Sequence, residues 1–282
     1  MALRTIHKLI HPQPRPMGPL TMHQPLPAAG IDQIDPFLLL HHHGPQNFPG
    51  RNSGLPFGPH PHRGFETVTF IYEGDVQHRD SSGFASTIDR GGVQWMTAGS
   101  GLIHSEGSSP EFREKGGPVE LIQLWTNLPA QFKMVAPQYT GLQQKDIPTV
   151  TLHKGTAAVV SGTWEDTQGP IQPIYEVALA NITLEAGGSF TRTIEANQNI
   201  LFYLLNGSIT VNGTAISGRT LVVFANEGEE IQVQASAYSR ILLGSALPIQ
   251  EPVVAHGPFV MNTREEIQDA LYDYQMGKMG TL

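Results

Sequence analysis

The sequence predicts an all-β fold of two tandem β-barrels with a C-terminal α-helix, and three observations carry that expectation. The chain has 282 residues, long for a single core when domains usually hold about 100–150. Its 30 glycines and 22 prolines punctuate short apolar runs, as in strands joined by tight turns. The two halves also repeat one scheme. Setting Gly74 against Gly207, an offset of 133 residues, aligns Phe70-Ile71-Tyr72-Glu73-Gly74 with Tyr203-Leu204-Leu205-Asn206-Gly207.

In the first half, residues 37–40 form an apolar run that reads as a buried strand, and the rest of 1–58 reads as edge strand and loop. Strands are expected at 67–72, 93–97 and 119–126, separated by the turns Glu73-Gly74-Asp75, Arg90-Gly91-Gly92 and Lys115-Gly116-Gly117. A polar, proline-containing stretch at 138–148 marks the boundary, giving domains 1–142 and 143–282. The second half has runs at 200–205, 208–211 and 220–224, with hairpin signals Asn206-Gly207 and Asn212-Gly213. Only the tail reads as helix. Asn262 or Thr263 caps a segment from Arg264 to about Gln275, Thr263 with Glu266 forms a capping box, and Ile267, Leu271 and Tyr274 make an apolar stripe expected to pack across a barrel.

Hydrophobic residues make up 39% of the chain and charged residues 15%, enough apolar material for a core. The net charge of -8, with no run of Lys and Arg, predicts no direct nucleic-acid binding. No stretch approaches the roughly 20 apolar residues of a membrane span, and the segment with Arg4, His7, Lys8 and His11 lacks a signal-peptide core. A cytoplasmic protein without membrane contact is the expectation. Cysteine is absent, so any metal must be held by nitrogen and oxygen.

The 12 histidines are clustered. His60-Pro61-His62 precedes a strand, and in extended chain residues i and i+2 point the same way, so both imidazoles can reach one point. His104-Ser105-Glu106 repeats the spacing after the turn Gly99-Ser100-Gly101. Two such pincers facing one another give three nitrogens and one oxygen for one divalent transition metal; Fe, Mn, Ni, Cu, Co and Zn all suit the set. Glu66 reads as a ligand, as an acceptor that orients a histidine, or as a solvated strand residue. At the offset of 133, His60, His62, His104 and Glu106 fall on Thr193, Glu195, Ala237 and Ser239, so the second barrel is expected to have lost its ligands. His41-His42-His43 reads as a solvated loop or an adventitious metal-affinity site. On a strand, His41 and His43, or His42 alone, would face the barrel mouth. His78 reads as a turn residue or, as the alternative, a pocket residue. Phe57, Phe65, Trp95 and Met96 are candidates to line a cavity, or core.

Gly54, His60, His62, Glu66 and Gly74 together resemble the first cupin motif, and Gly92 to His104 resembles the second. The strings from His60 to Thr69, from His78 to Gly83 and from Gln94 to Glu106 are similar to the pirin family over nearly the whole chain. The resemblance implies two cupin-type jelly-roll barrels, with His60, His62, His104 and Glu106 binding a metal, usually iron, and Glu66 not a ligand. It also implies two kinds of activity. One is quercetin 2,3-dioxygenase chemistry on a flavonol with O2, with Glu106 as both ligand and catalytic base. The other is non-catalytic, iron-dependent regulation through a protein partner.

Overall fold

The computed structural model describes residues 2–282 and is built of strands, with two α-helices among those residues. None of its helices is long and apolar enough to cross a membrane. Two compact units are present. One comprises the segment up to Gln13, 25–36 and 146–248, and the other 14–24, 37–145 and 249–282. The change near residue 145 lies close to the expected boundary, but the units are not the consecutive pieces 1–142 and 143–282. Residues 2–13 belong with the later segment, because Ile6–Ile10 adds a strand to the edge of its sheet beside Thr220–Phe224. The last 34 belong with the earlier one.

The unit holding the candidate ligands is two facing sheets. The larger runs in the order Gln138–Leu142, Val93–Thr97, Phe65–Glu73, Gly117–Asn127, Phe37–Phe48, Leu20–Leu26, Pro14–Met17. The smaller runs Phe57–His62, Leu102–Gly107, Asp75–Asp80, Ala85–Asp89. Alternation sends Ile71, Val119 and Leu121 from one sheet and Val76 and Ile88 from the other into a shared core with Phe48, Leu55 and Phe112. The expected strand 37–40 in fact runs to Phe48, which puts the three consecutive histidines on a strand and not in a solvated loop.

Both helices begin at side-chain caps. Arg264–Gln275 opens with the expected capping box, Thr263 accepting from the Glu266 amide and Glu266 from that of Thr263. Ile267, Ala270 and Leu271 pack on Phe259, Met261 and Met279 and on Ile103 of the smaller sheet, as the stripe predicts. The short helix Pro110–Lys115 was not expected. Ser109 caps it by accepting from the Phe112 amide, Pro110 fits its first turn, and Gly116 ends it at φ +71°.

The other unit curls one nine-stranded sheet. Its 17-residue strand Val177–Thr193 pairs through its first half with Ser239–Ala246 and through its second with Glu230–Ala235. Inward residues such as Ile182, Phe202, Leu204, Ile231 and Val233 fill its centre. Phe202 is fully buried there. Phe202→Ala is therefore expected to lower unfolding free energy by about 3–5 kcal/mol in urea titrations, through lost transfer energy plus a cavity.

Candidate metal centre

Strand register assembles the site. Phe57–His62 lies antiparallel to Leu102–Gly107 with His60 opposite His104 and His62 opposite Leu102. On the other side of Leu102–Gly107, His104 faces Asp80 and Glu106 faces His78. Because period-two alternation holds on each strand, His60, His62, His78, Asp80, His104 and Glu106 share the inner face of the smaller sheet. The loop between His62 and the next strand needs Gly64, whose φ is +88° and whose hypothetical Cβ would sit 2.0 Å from the Val260 carbonyl oxygen.

Donor atoms of His60, His62 and His104 all lie within 4.8 Å of one another, the one such group of three or more among the described residues. His60 Nδ1 donates to the Gly58 carbonyl at 2.7 Å and His62 Nδ1 to the Pro258 carbonyl at 3.2 Å. A carbonyl only accepts, so the proton of each ring is fixed on Nδ1 and the Nε2 lone pair is left for the centre of the group. His62 Nε2 is buried without a hydrogen-bond partner, and His60 Nε2 lies 3.0 Å from His104 Nε2. Two ligands about 2.1 Å from one ion at a right angle would be about 3.0 Å apart. The trio thus fits a metal: His62 Nε2 has no protein partner, and the Nε2 atoms of His60 and His104 stand at the separation two ligands of one ion would have.

Burial and the neighbouring imidazoles keep the His62 and His104 rings uncharged. Desolvation first, then His60, pushes His62 down to about 3, and desolvation with His62, His60 and His78 holds His104 well below the usual imidazole range. His60 is half-buried and forms the open side of the group. Phe65 and Trp125 pack edge-on against the His62 ring, with centroids 5.1 and 5.3 Å away.

Glu106 is buried on the same face but stands outside the group of three. Its Oε1 accepts from Thr69 Oγ1 and its Oε2 from Gln123 Nε2, both at 2.9 Å. Each carboxylate oxygen keeps a further lone pair. Glu66 is not solvated: it is 1% exposed and accepts from Thr97 Oγ1 at 2.6 Å. His78 is not a turn residue. It is buried on the strand Asp75–Asp80, bonded through Nε2 to Asp80 at 2.9 Å and stacked on Tyr139 with centroids 4.2 Å apart. Burial pushes the Tyr139 hydroxyl up to about 12.

The three consecutive histidines divide by face as alternation requires. His42 is fully buried and bonded to Glu120 at 3.0 Å, whereas His43 faces the interior between the sheets with Phe57 edge-on at 5.3 Å. Phe65, Trp95 and Met96 are core, and Phe57 lines a cavity with His43. Sequence reading gave no hint of Lys133. Its buried ammonium donates to Gly64 O at 2.8 Å, Asn127 Oδ1 at 2.6 Å and Val260 O at 3.1 Å, and burial lowers it to about 8.

In the other unit, strand pairing corrects the offset alignment. His78 still corresponds to Val211, but the partner of Val211 is Val233, so Glu106 corresponds to Val233 and His104 to Ile231. Arg192, opposite Ile231, then corresponds to His60, and Ile194 to His62. Six residues fewer separate the paired strands there. Ile194, Ile231 and Val233 are all core, so the loss of ligands holds although the positions differ.

Comparison with known proteins agrees with this architecture. The pirin family profile matches residues 20–126 and the profile of the pirin C-terminal cupin domain matches residues 179–280. A Pseudomonas aeruginosa protein provisionally named quercetin 2,3-dioxygenase is 38% identical over 247 residues, 87% of this chain and 86% of its own. The chain belongs to the pirin family. The crystal structure of a quercetin 2,3-dioxygenase from Acinetobacter baumannii superposes with a TM-score of 0.94 at 36% identity, covering 99% of each chain. The Escherichia coli pirin YhhW, crystallised in complex with nickel(II), shares the fold at a TM-score of 0.66 and 21% identity over 88% of this chain and 99% of its own. Both barrels of this pirin are therefore cupin-type, and the first carries the histidine cluster.

His104→Ala is expected to purify with less than a tenth of the wild-type metal by inductively coupled plasma mass spectrometry; wild-type metal content in that variant would refute the site. A second expectation concerns acid. Unfolded histidines protonate near pH 6.5, while His62 and His43 in the folded metal-free chain stay neutral down to about 3. The unfolded state thus binds more protons between those values. Stability of the metal-free chain should fall as pH drops from 6.5 toward 3, by up to about 1.4 kcal/mol per pH unit for each histidine. His43→Leu should flatten that slope in urea titrations at stepped pH.

Proposed function

We propose that this pirin is a metal-dependent dioxygenase that opens the central ring of quercetin or a related flavonol with O2, releasing carbon monoxide and a ring-opened ester. The observation that carries this reading is the convergence of three imidazoles, those of His62 and His104 buried and neutral, on the same face as a buried carboxylate. In this reading His60, His62, His104 and Glu106 hold one divalent transition metal, iron first among Fe, Mn, Ni, Cu, Co and Zn. The names of the Pseudomonas and Acinetobacter relatives support the substrate class.

The ion, when bound, supplies Lewis acidity that lowers the pKa of the flavonol 3-hydroxyl and a path for electron density toward O2. The remaining roles fall to side chains. Glu106 takes the 3-hydroxyl proton on a carboxylate oxygen, and Thr69 and Gln123, already bonded to that carboxylate, fix its plane. The Gly58 and Pro258 carbonyls hold His60 and His62 in the tautomer that leaves Nε2 free. The flavonol approaches from the open side at half-buried His60 with its 3-hydroxyl turned inward toward Glu106.

The deciding assay supplies quercetin and O2 and measures carbon monoxide. Metal-loaded wild type should release it stoichiometrically with quercetin loss, His104→Ala should release none, and Glu106→Gln should be slowed by about 10²–10⁴-fold. Full metal content with no carbon monoxide above the His104→Ala control would sink the reading for quercetin and leave the non-catalytic regulatory alternative.

A further inference from the structure

An inward-pointing cation stands at the end of the second barrel. Alternation along Val177–Thr193 gives Arg192 the same side as Phe190, and Ile194, the residue after the strand, follows on that side; both neighbours are core. Arg192 is half-buried there, at the position that corresponds to His60. A charge turned inward costs free energy unless it is paired. Here the pairing is partial. A guanidinium has five N–H donors, and the one hydrogen bond it makes to the described residues runs from Nη2 to the Thr163 carbonyl at 2.6 Å, with the Trp164 ring beneath it. No carboxylate among those residues forms an ion pair with it. Glu165, whose charge acts on it, is exposed.

Arg192 borders a hollow walled by short side chains. Ala178 faces Ser245 across paired strands, and in the next inward row Ala180 faces Leu243. Alanine and serine at these positions leave the end of the barrel unfilled. About 20 Å³ is open to the centres of water-sized guests, more than one water needs. A compact group of a few atoms fits and a flavonol does not.

The walls also select the charge of the guest. A guanidinium offers its N–H groups as a planar fork that matches the two oxygens of a carboxylate. One cation among aliphatic and hydroxyl side chains offsets one negative charge, so a monoanion is matched and a dianionic phosphate keeps a charge unmet.

We propose that the end of the second barrel is a binding site for a short monocarboxylate, held by the Arg192 fork with Ala178 and Ser245 at its walls. The strand position that presents a metal ligand in the first unit presents the cation itself in the second. The site stands whether or not the dioxygenase reading holds.

Nuclear magnetic resonance titration of the metal-loaded full chain tests this. Acetate and formate at constant ionic strength should shift the Arg192 Nε–H and Trp164 indole N–H resonances saturably, while acetamide, of similar shape but uncharged, should shift neither. Arg192→Lys keeps the charge and loses the fork, and should weaken acetate binding about tenfold at the Trp164 signal. Ala178→Val fills the hollow without changing any charge and should abolish the response. Metal content and Tm of both variants should match wild type, which separates a lost site from a lost fold. No saturable shift with acetate or formate, an equal response to chloride, or undiminished acetate binding in Ala178→Val would overturn the site. Phosphate binding as tightly as acetate would overturn the preference for a monoanion. Should Ala178→Val fail to fold, Arg192→Lys decides alone, and unchanged acetate affinity in it would overturn the role of the fork.

Discussion

The first barrel depends on holding three imidazoles together in one largely buried place. The Nε2 atoms of His60 and His104 sit 3.0 Å apart, and that of His62 is buried with no partner. Burying an unpaired polar atom costs about 1–3 kcal/mol. Protonation would not relieve it, because desolvation and the neighbouring rings hold His62 and His104 below the usual imidazole range. A cation shared among the three would remove that cost, and an ion held there would stabilise the fold as well.

Maintaining such a conflict requires support from the surrounding chain, and much of it comes from the last 34 residues. Pro258 supplies the carbonyl that fixes the His62 tautomer. Arg63, next in the chain, binds Asp273 of the terminal helix at 2.9 Å and donates to the Ser100 carbonyl at 2.7 Å. Lys133 ties the carbonyls of Gly64 and Val260 together from beneath. Each of these three contacts bears on the loop that leads away from His62, and each uses a charged or polar group that is mostly hidden from water. The terminal helix is therefore part of the site's framework and not an appendage.

What was legible in the sequence follows the range of the interaction. His60, His62 and His104 could be read because the rule that brings each pair together, alternation along a strand, acts over two residues. The capping box at Thr263 and Glu266 is as local. Register across strands is not, so nothing in the string Phe37 to His43 reveals that Leu121 and Ile122 lie opposite His43 and His42 and bury them. Pro258 holding His62, 196 residues away, has no sequence signal at all. His78 looked like a turn residue because its strand is only six residues long and ends in the turn that Asp80 organises by accepting from the amides of Ser82 and Phe84. The repeat was visible, but its uniform offset was not real. Six residues are missing between the paired strands of the second unit, and only hydrogen-bond register exposes a deletion of that kind.

That register also explains why one copy of the barrel gathers metal ligands and the other does not. Where the first unit places His62, His104 and Glu106, the second places Ile194, Ile231 and Val233. Each fully buried aliphatic side chain contributes about 1.5–3 kcal/mol, while a buried imidazole with an unmet lone pair contributes a penalty. The second unit closes its centre with its own side chains and needs no ion to do so. At the position of His60 it carries Arg192, whose guanidinium lies 4.8 Å from the centroid of the Trp164 ring and donates to the Thr163 carbonyl. The same strand pairings thus support opposite solutions, and the difference lies in whether the inward residues of two strands satisfy one another.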